Sequence, residues 1–373
     1  MQQSILFLSY WYPVPANKSF GIFIKRHAHA LALAHPVIVL AFVIEHGTQF
    51  YKKNSEVFTD EAGITTHQIT ITSRFNKLVY VFLPLHFWIL QKYIRKNSLV
   101  EPGTIIHSNI LFPCAITGYK LAKKFNCPHV ISEHWSKISK FFSSSFYKTS
   151  GKKAYDTAAA ITCVSQQLAE TVKKFTSNKN VSVVPNVIDS SRFFYNASIK
   201  KKNILTFIAV AHWSPPKNPF YFTEALEQLY HEKALPEFQL VLVGTGVLRD
   251  KIVSENYAYK IEYIDSLNQD ELSEELNRSH VFLHGSDYET FSVVIAEAAM
   301  CGLPCIVSNV GIATEVISES NGAIAEDNVN DWKDKIRKVS HMHYDHEKIS
   351  SILKGKYDLQ AVGGQFSSIY KDL

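Results

Sequence analysis

Short apolar, β-branched runs alternate along the chain with amphipathic runs of helical length, the pattern of parallel strands joined by crossover helices. In the first half, residues 5–9, 37–43, 105–107, 130–132, 160–164 and 181–184 read as strands, with helices between them. A second series follows, with strands at 205–210, 239–243, 261–264, 281–284 and 305–308 and helices near 219–230, 247–255, 269–279 and 292–301. A polar break over residues 190–203, containing Lys200-Lys201-Lys202, separates the two series and marks a domain boundary. The pattern predicts an α/β chain of two doubly wound domains, 1–189 and 190–356. In such sheets ligands bind beyond the carboxyl ends of the strands, so the loops after those runs are where chemistry is to be sought.

Composition narrows the class. Of 373 residues, 46% are hydrophobic and 20% charged, ordinary proportions for a globular protein, and 15 Gly with 13 Pro are too few for a low-complexity chain. The five cysteines are scattered and form no C-x-x-C pair, which argues against a disulfide framework or a zinc ribbon and for reduced thiols in a cytoplasmic setting. The apolar run from Ile5 to Leu8 stops at Ser9 with no basic residues before it, so no signal peptide is expected. The longest apolar stretch, 78–90, is broken by Pro84 and His86 and predicts no membrane span.

Charge is split between the halves. Residues 1–190 carry 21 Lys and Arg against 9 Asp and Glu, a balance of +12, and the remainder carries 18 against 25, or −7, which together give the net +5. A basic first half suits a phosphorylated substrate, anionic lipid or nucleic acid. The basic residues are dispersed and no nucleic-acid-binding module is present, so nucleic acid is not an expected partner. Arg74, Lys77, Lys92, Arg95 and Lys96 bracket the aromatic-apolar residues 79–82 and 87–89. That arrangement suits peripheral association with an anionic membrane surface, or a buried helix pair with solvated ends; the phase of the pattern leaves both open.

No G-x-G-x-x-G follows the first strand and no P-loop occurs; Gly244-Thr245-Gly246 is a lone G-x-G. There is no D-x-D and no His or Cys cluster at metal spacing, so neither a metal nor another cofactor is expected. The most informative stretch runs from His284 to Pro304. A strand ends at His284, a loop delivers Glu289, and a helix expected to begin near Phe291 offers free N–H groups and a positive dipole end to an anion. Glu297, eight residues beyond Glu289, lies on nearly the same side, at most about 12 Å away by helical rise, and a nucleotide diphosphate sugar fits between the two. Its neighbours Ile295, Ala296, Ala298 and Ala299 predict burial, and a buried carboxylate needs a partner, either ligand hydroxyls or a cap or ion pair. Cys301 and Cys305 read as core.

With Ser286, Glu289, Glu297, Gly302-Leu303-Pro304, Ser308-Asn309-Val310-Gly311 and Glu315-Val316-Ile317 in this order, the chain resembles the family-four retaining glycosyltransferases of the GT-B fold, whose hallmark is two glutamates separated by seven residues. Val184-Pro185-Asn186-Val187-Ile188-Asp189 resembles the family's Pro-Asn-Gly-Val-Asp, with Val187 in place of glycine. Residues 207–218 resemble the strand and loop that normally carry Gly-Arg and then Lys; Lys217 is retained and Ala211-His212 stands where Gly-Arg is usual. Tyr12-Pro13 through Gly21 and Ser132-Glu133-His134 extend the likeness to the first half.

The resemblance implies two Rossmann-like domains facing a central cleft, an acceptor-binding one (1–189, with 357–373 packing back on it) and a donor-binding one (190–356). It further implies that Glu289 contacts the donor sugar, Glu297 the ribose and Lys217 the diphosphate. The N–H groups of Phe291 and Ser292 would hold the distal phosphate, and Gly244 and the segment around Ile264 would line the nucleotide. On the acceptor side it implies a flexible loop at Gly21 and places His134 beside the reacting sugar. His212 would add charge to the clamp when protonated. The function implied is metal-independent transfer of a sugar, with retention, from a nucleotide diphosphate sugar to a glycan or lipid-linked acceptor in cell-surface polysaccharide or glycolipid synthesis. A sugar-nucleotide epimerase of the same fold and a non-catalytic nucleotide-sugar-binding protein are the alternatives.

Overall fold

A computed structural model describes residues 3–13 and 20–373. The chain forms two compact units: Met1–Val187 together with Leu359–Leu373, and Ile188–Asp358. The stretch between Pro13 and Phe20, which carries part of the N-terminal family likeness, lies outside the described residues.

The first unit is built on β1 (Ile5–Ser9), β2 (Val37–His46), β3 (Lys52–Thr59), β4 (Thr65–Ser73), β5 (Ile105–Asn109), β6 (His129–Glu133), β7 (Ala160–Cys163) and β8 (Val181–Val183). Their order is β3-β4-β2-β1-β5-β6-β7-β8, parallel throughout except where β3 runs antiparallel to β4. Every residue of β1 is buried, because helices cover both faces of the sheet. Successive side chains feed different cores: Ile5 and Phe7 join Ile24, Ala28 and Leu31, whereas Leu6 and Leu8 join Phe42, Ile89 and Ile94. The helix Leu359–Lys371 completes the first of these cores with Val362, Phe366 and Tyr370, spaced one turn apart.

The second unit is a wholly parallel sheet of β9 (Leu205–Val210), β10 (Phe238–Val243), β11 (Lys260–Ile264), β12 (Val281–His284), β13 (Cys305–Ser308) and β14 (Gly322–Ala325). Their order is β11-β10-β9-β12-β13-β14. Strand order reverses on either side of β9, and the loops leaving β9, β10 and β12 therefore surround a topological switch point.

Three strands go beyond the sequence reading. Seven of the eight residues of β3 are exposed, and its polar sequence with Lys52 and Lys53 is that of a charged edge strand, which no apolar run announces. β4, rich in Thr, pairs with it, and β14 is the small-residue run Gly-Ala-Ile-Ala. Among the described residues no helix is long and apolar enough to cross a membrane.

Candidate active site

The loop after β12 and the loop after β9 are stitched together within the second unit. Asn218 N donates to Gly285 O (3.0 Å), Asp287 N to Pro216 O (2.8 Å) and Ser286 Oγ to Pro216 O (3.2 Å). A bridge between Lys217 and Ser286 completes the seam. It holds Lys217 so that its ammonium donates to Glu289 Oε1, forming an ion pair in which both side chains are largely buried. His284, the last residue of β12, closes the cluster: its Nε2 lies 3.1 Å from Ser292 Oγ and 3.3 Å from Glu289 Oε1.

The electrostatics follow from this packing. Burial by itself raises the Glu289 carboxyl, but the hydrogen bond from His284 and the Lys217 ammonium outweigh it and hold the group down at about 2. Burial depresses His284, so the ring is neutral and serves as a hydrogen-bond donor. The cluster is thus a fixed carboxylate beside a fixed cation, at the carboxyl edge of a parallel sheet.

Here the sequence reading of the helix needs correction. The helix is Val293–Met300, and Phe291 and Ser292 precede it. Ser292 has φ 72°, a left-handed turn, and its hydroxyl is engaged by His284. Phe291 is buried, accepts from Ile312 N (3.1 Å) and packs its ring on Tyr357 at 5.9 Å. Only part of the eight-residue interval between Glu289 and Glu297 is therefore helical, and the separation inferred from helical rise does not apply. Glu297 sits in the second turn and is 7% exposed.

The remaining donor-side residues lie on neighbouring loops. Gly244 has φ 113°, and a Cβ there would stand 1.8 Å from Ala211 O, so only glycine lets the loop after β10 lie against the loop after β9. Gly244 N donates to Ile264 O at 2.8 Å, which commits the Ile264 carbonyl. His212 is exposed. Arg249, to which the sequence reading gave no role, donates to Gly244 O (3.2 Å), pairs with Asp265 and lies over the Tyr263 ring at 5.5 Å.

In the first unit His134 follows β6 directly and is buried, with Asn186 beside its ring. Burial, with His27 and His107 nearby, keeps the ring neutral. The helix Ile22–Ala32 flanks it, with the rings of Phe23 and His27 each 5.1 Å away. Gly21 caps that helix at φ 72°, where a Cβ would meet Trp11 O at 2.4 Å. Glu133 is the residue whose part in this arrangement sequence does not reveal. Fully buried, it accepts from Leu111 N (2.9 Å), Tyr155 OH (2.8 Å), His134 N (3.0 Å) and Trp135 N (3.0 Å), and so fixes the turn that carries His134.

Among the described residues one group has metal-ligand spacing, His29, Asp60 and Glu61. The Lys25 ammonium already occupies it, 3.5 Å from Asp60 and 2.9 Å from Glu61.

Two doubly wound sheets, the second carrying an acid and cation pair at its switch point, define the GT-B class of protein. Sucrose-phosphate synthase from Thermosynechococcus elongatus shares this fold, superposing with a TM-score of 0.74 at 18% identity over 100% of this chain and 99% of its own. The family described as Glycosyltransferase Family 4 matches residues 21–192, and Glycosyl transferases group 1 matches residues 191–353. The chain belongs to the family-four glycosyltransferases of the GT-B fold, and it is a glycosyltransferase. A phosphatidylinositol N-acetylglucosaminyltransferase subunit from Schizosaccharomyces pombe is 23% identical over 350 residues, covering 91% of this chain and 73% of its own. An Escherichia coli UDP-Gal:alpha-D-GlcNAc-diphosphoundecaprenol alpha-1,3-galactosyltransferase is 32% identical over 160 residues, covering 39% of this chain and 41% of its own.

Proposed function

We propose that the protein transfers a hexose, with retention of anomeric configuration and without a metal, from a nucleotide diphosphate sugar to a lipid-linked or glycan acceptor. The setting proposed is the cytoplasmic face of a membrane, in polysaccharide or glycolipid synthesis. The observation that carries this reading is the ion pair of Lys217 with Glu289, built into the loops around the switch point and adjoining the start of the helix Val293–Met300. A sugar phosphate presents hydroxyls and anionic oxygens a few ångströms apart, and this pair offers a carboxylate for the first and an ammonium for the second. As the bond from sugar to diphosphate breaks, charge develops on the departing oxygen, where Lys217 and the free N–H groups of the helix start stabilise it. The departing phosphate takes the proton of the acceptor hydroxyl as the new glycosidic bond forms. Glu289 orients the sugar and Glu297 the ribose. The names of two relatives specify phosphatidylinositol and GlcNAc-diphosphoundecaprenol, which supports the lipid-linked acceptor.

The test is thermal unfolding with UDP-, GDP- and ADP-sugars in the presence of a chelator, on the native protein and on Glu297→Ala. A ligand at one hundred times its Kd adds about 2.7 kcal/mol to the native state. One nucleotide class should raise the midpoint in the native protein and not in the variant. No shift with any nucleotide overturns the donor assignment, and a shift that requires a divalent ion overturns metal independence.

A further inference from the structure

Most of the large apolar side chains that the first unit leaves in water lie between Phe50 and Trp88, with Phe20, Leu33 and Phe146 elsewhere. Phe50, Leu78, Phe82 and Trp88 are each 55% to 70% exposed, and Phe75 and Val81 are exposed beside them. They are carried by the strand edge at Phe50 and by two helices consecutive in the chain. Ser73 Oγ donates to Phe50 O (2.6 Å), bringing the Phe50 ring to 5.7 Å from that of Phe75. Phe75 caps the helix Asn76–Val81, which carries Leu78 and Val81, and Phe82 joins it to the helix Leu83–Lys96. On that second helix Leu83, His86, Ile89, Leu90, Tyr93 and Ile94 are already buried, while Pro84, Trp88 and Lys92 line up on the exposed side. The fold has therefore taken the apolar face it needs, and a second apolar surface remains.

The charge of the stretch 62–100 has one sign, while the exposed Glu45 pairs with Thr72 in the neighbouring strand. Residues 62–100 contain no Asp or Glu, and they contain Arg74, Lys77, Lys92, Arg95 and Lys96. Arg74 lies over the Phe50 and Phe75 rings at 5.6 and 4.8 Å, and Lys92 over Trp88 at 5.4 Å. The exposed Lys52 and Lys53 follow Phe50 and Tyr51 on the same edge. Arg95 and Lys96 complement the dipole at the end of their helix, but Arg74 and Lys77 stand at the start of Asn76–Val81, where the dipole disfavours cations. Helix stability does not account for either, and Lys77 has no ion pair among the described residues.

We propose that this face docks the first unit onto an anionic membrane surface, with Phe50, Leu78, Val81, Phe82 and Trp88 entering the interface and Arg74, Lys77 and Lys92 meeting lipid phosphates. Aromatic and aliphatic tips interleaved with Lys and Arg are what an interfacial surface requires, the stems lying in the acyl boundary and the charges at the headgroups. The proposal deepens the lipid-linked acceptor reading above, because it brings the acceptor domain to where such an acceptor resides.

The test is flotation of the full chain with vesicles of phosphatidylcholine alone and of phosphatidylcholine with about one-third phosphatidylglycerol, without donor, at low and high salt. The native protein should float with the anionic vesicles, less at high salt, and hardly at all with neutral ones. Lys77→Ala and Lys92→Ala should each lower partitioning about fivefold. Leu78→Ser with Phe82→Ser should lower it about tenfold or more. These side chains are exposed, so nucleotide-dependent thermal shifts should match the native protein and certify the fold. Absent flotation, or equal flotation of native and variant proteins, overturns the proposal. An oligomeric state that changes in Leu78→Ser with Phe82→Ser while flotation does not would assign the face to a second copy instead. A native protein that floats but shows no nucleotide shift would overturn the donor assignment and leave the docking face standing.

Discussion

Glu133 shows how much one buried side chain organises. Burial lifts its carboxyl to about 7 although four donors converge on it, so in the folded protein it holds a proton that the unfolded chain releases near 4.5. Its contribution to stability is therefore present at low pH and is lost as pH rises between those values, each unit of the shift being worth about 1.4 kcal/mol. Thermal unfolding from pH 4.5 to 8 should show the native protein losing stability relative to Glu133→Gln through that window and the difference levelling off above it. A difference that does not vary with pH would show that the group is ionised throughout. Residues of this kind escape a sequence reading because their partners are remote, Tyr155 standing 22 positions away. Lys217, Glu289 and Glu297 are candidates through the family resemblance, and of these the structure brings Lys217 and Glu289 together. His284 was visible only as a strand's last residue, and the ion pair it supports depends on two loops 72 positions apart in the chain.

At the level of elements, strands with an apolar run announce themselves even at an edge, as β8 and β11 do, whereas the polar β3, the Thr-rich β4 and the small-residue β14 do not. β3 keeps its edge soluble with charge, so its pattern is that of a loop. The helix before Glu297 starts two residues later than its apolar run suggests, because Phe291 is apolar for the sake of the core rather than the helix. Loops meeting at the switch point impose another requirement, invisible to periodicity, at Gly244. Gly244→Ala would drive a Cβ into Ala211 O at a φ that L-residues avoid. The variant should lose about 2 kcal/mol or more of stability in the second unit. Its nucleotide-dependent thermal shift should also be lost, since the loop bearing His212 must move. Unchanged unfolding and an unchanged shift would show that the two loops are not held in contact.

For the whole molecule, the distribution of buried histidines sets its response to acid. His27 and His86 are pushed down to about 4 and His129 to about 3, chiefly by burial, and His107 and His134 lie well below their ordinary range for the same reason. All five belong to the first unit, and the sixth buried histidine, His284, lies in the second and is also lowered by burial. Each is neutral when folded, so its contribution is present above about 6.5 and is lost as pH falls toward the folded values, opposite in sign to Glu133 and more numerous. The unfolding midpoint should drop between pH 7.5 and 5, and hydrogen exchange corrected for intrinsic rate should place the lost protection in residues of Met1–Val187. A flat midpoint over that range, or loss confined to Ile188–Asp358, would contradict this account.

The helix Leu359–Lys371 gives this architecture an order of assembly on the ribosome. β1 and the helix Ile22–Ala32 are synthesised well before Val362, Phe366 and Tyr370, which complete their core, whereas Ile188–Asp358 is one continuous stretch of chain. Vectorial synthesis ordinarily lets the amino-terminal domain finish first. In this chain the second unit can be complete while the first still exposes the apolar face of its opening helix, so it is the nascent first unit that a chaperone would have to shield.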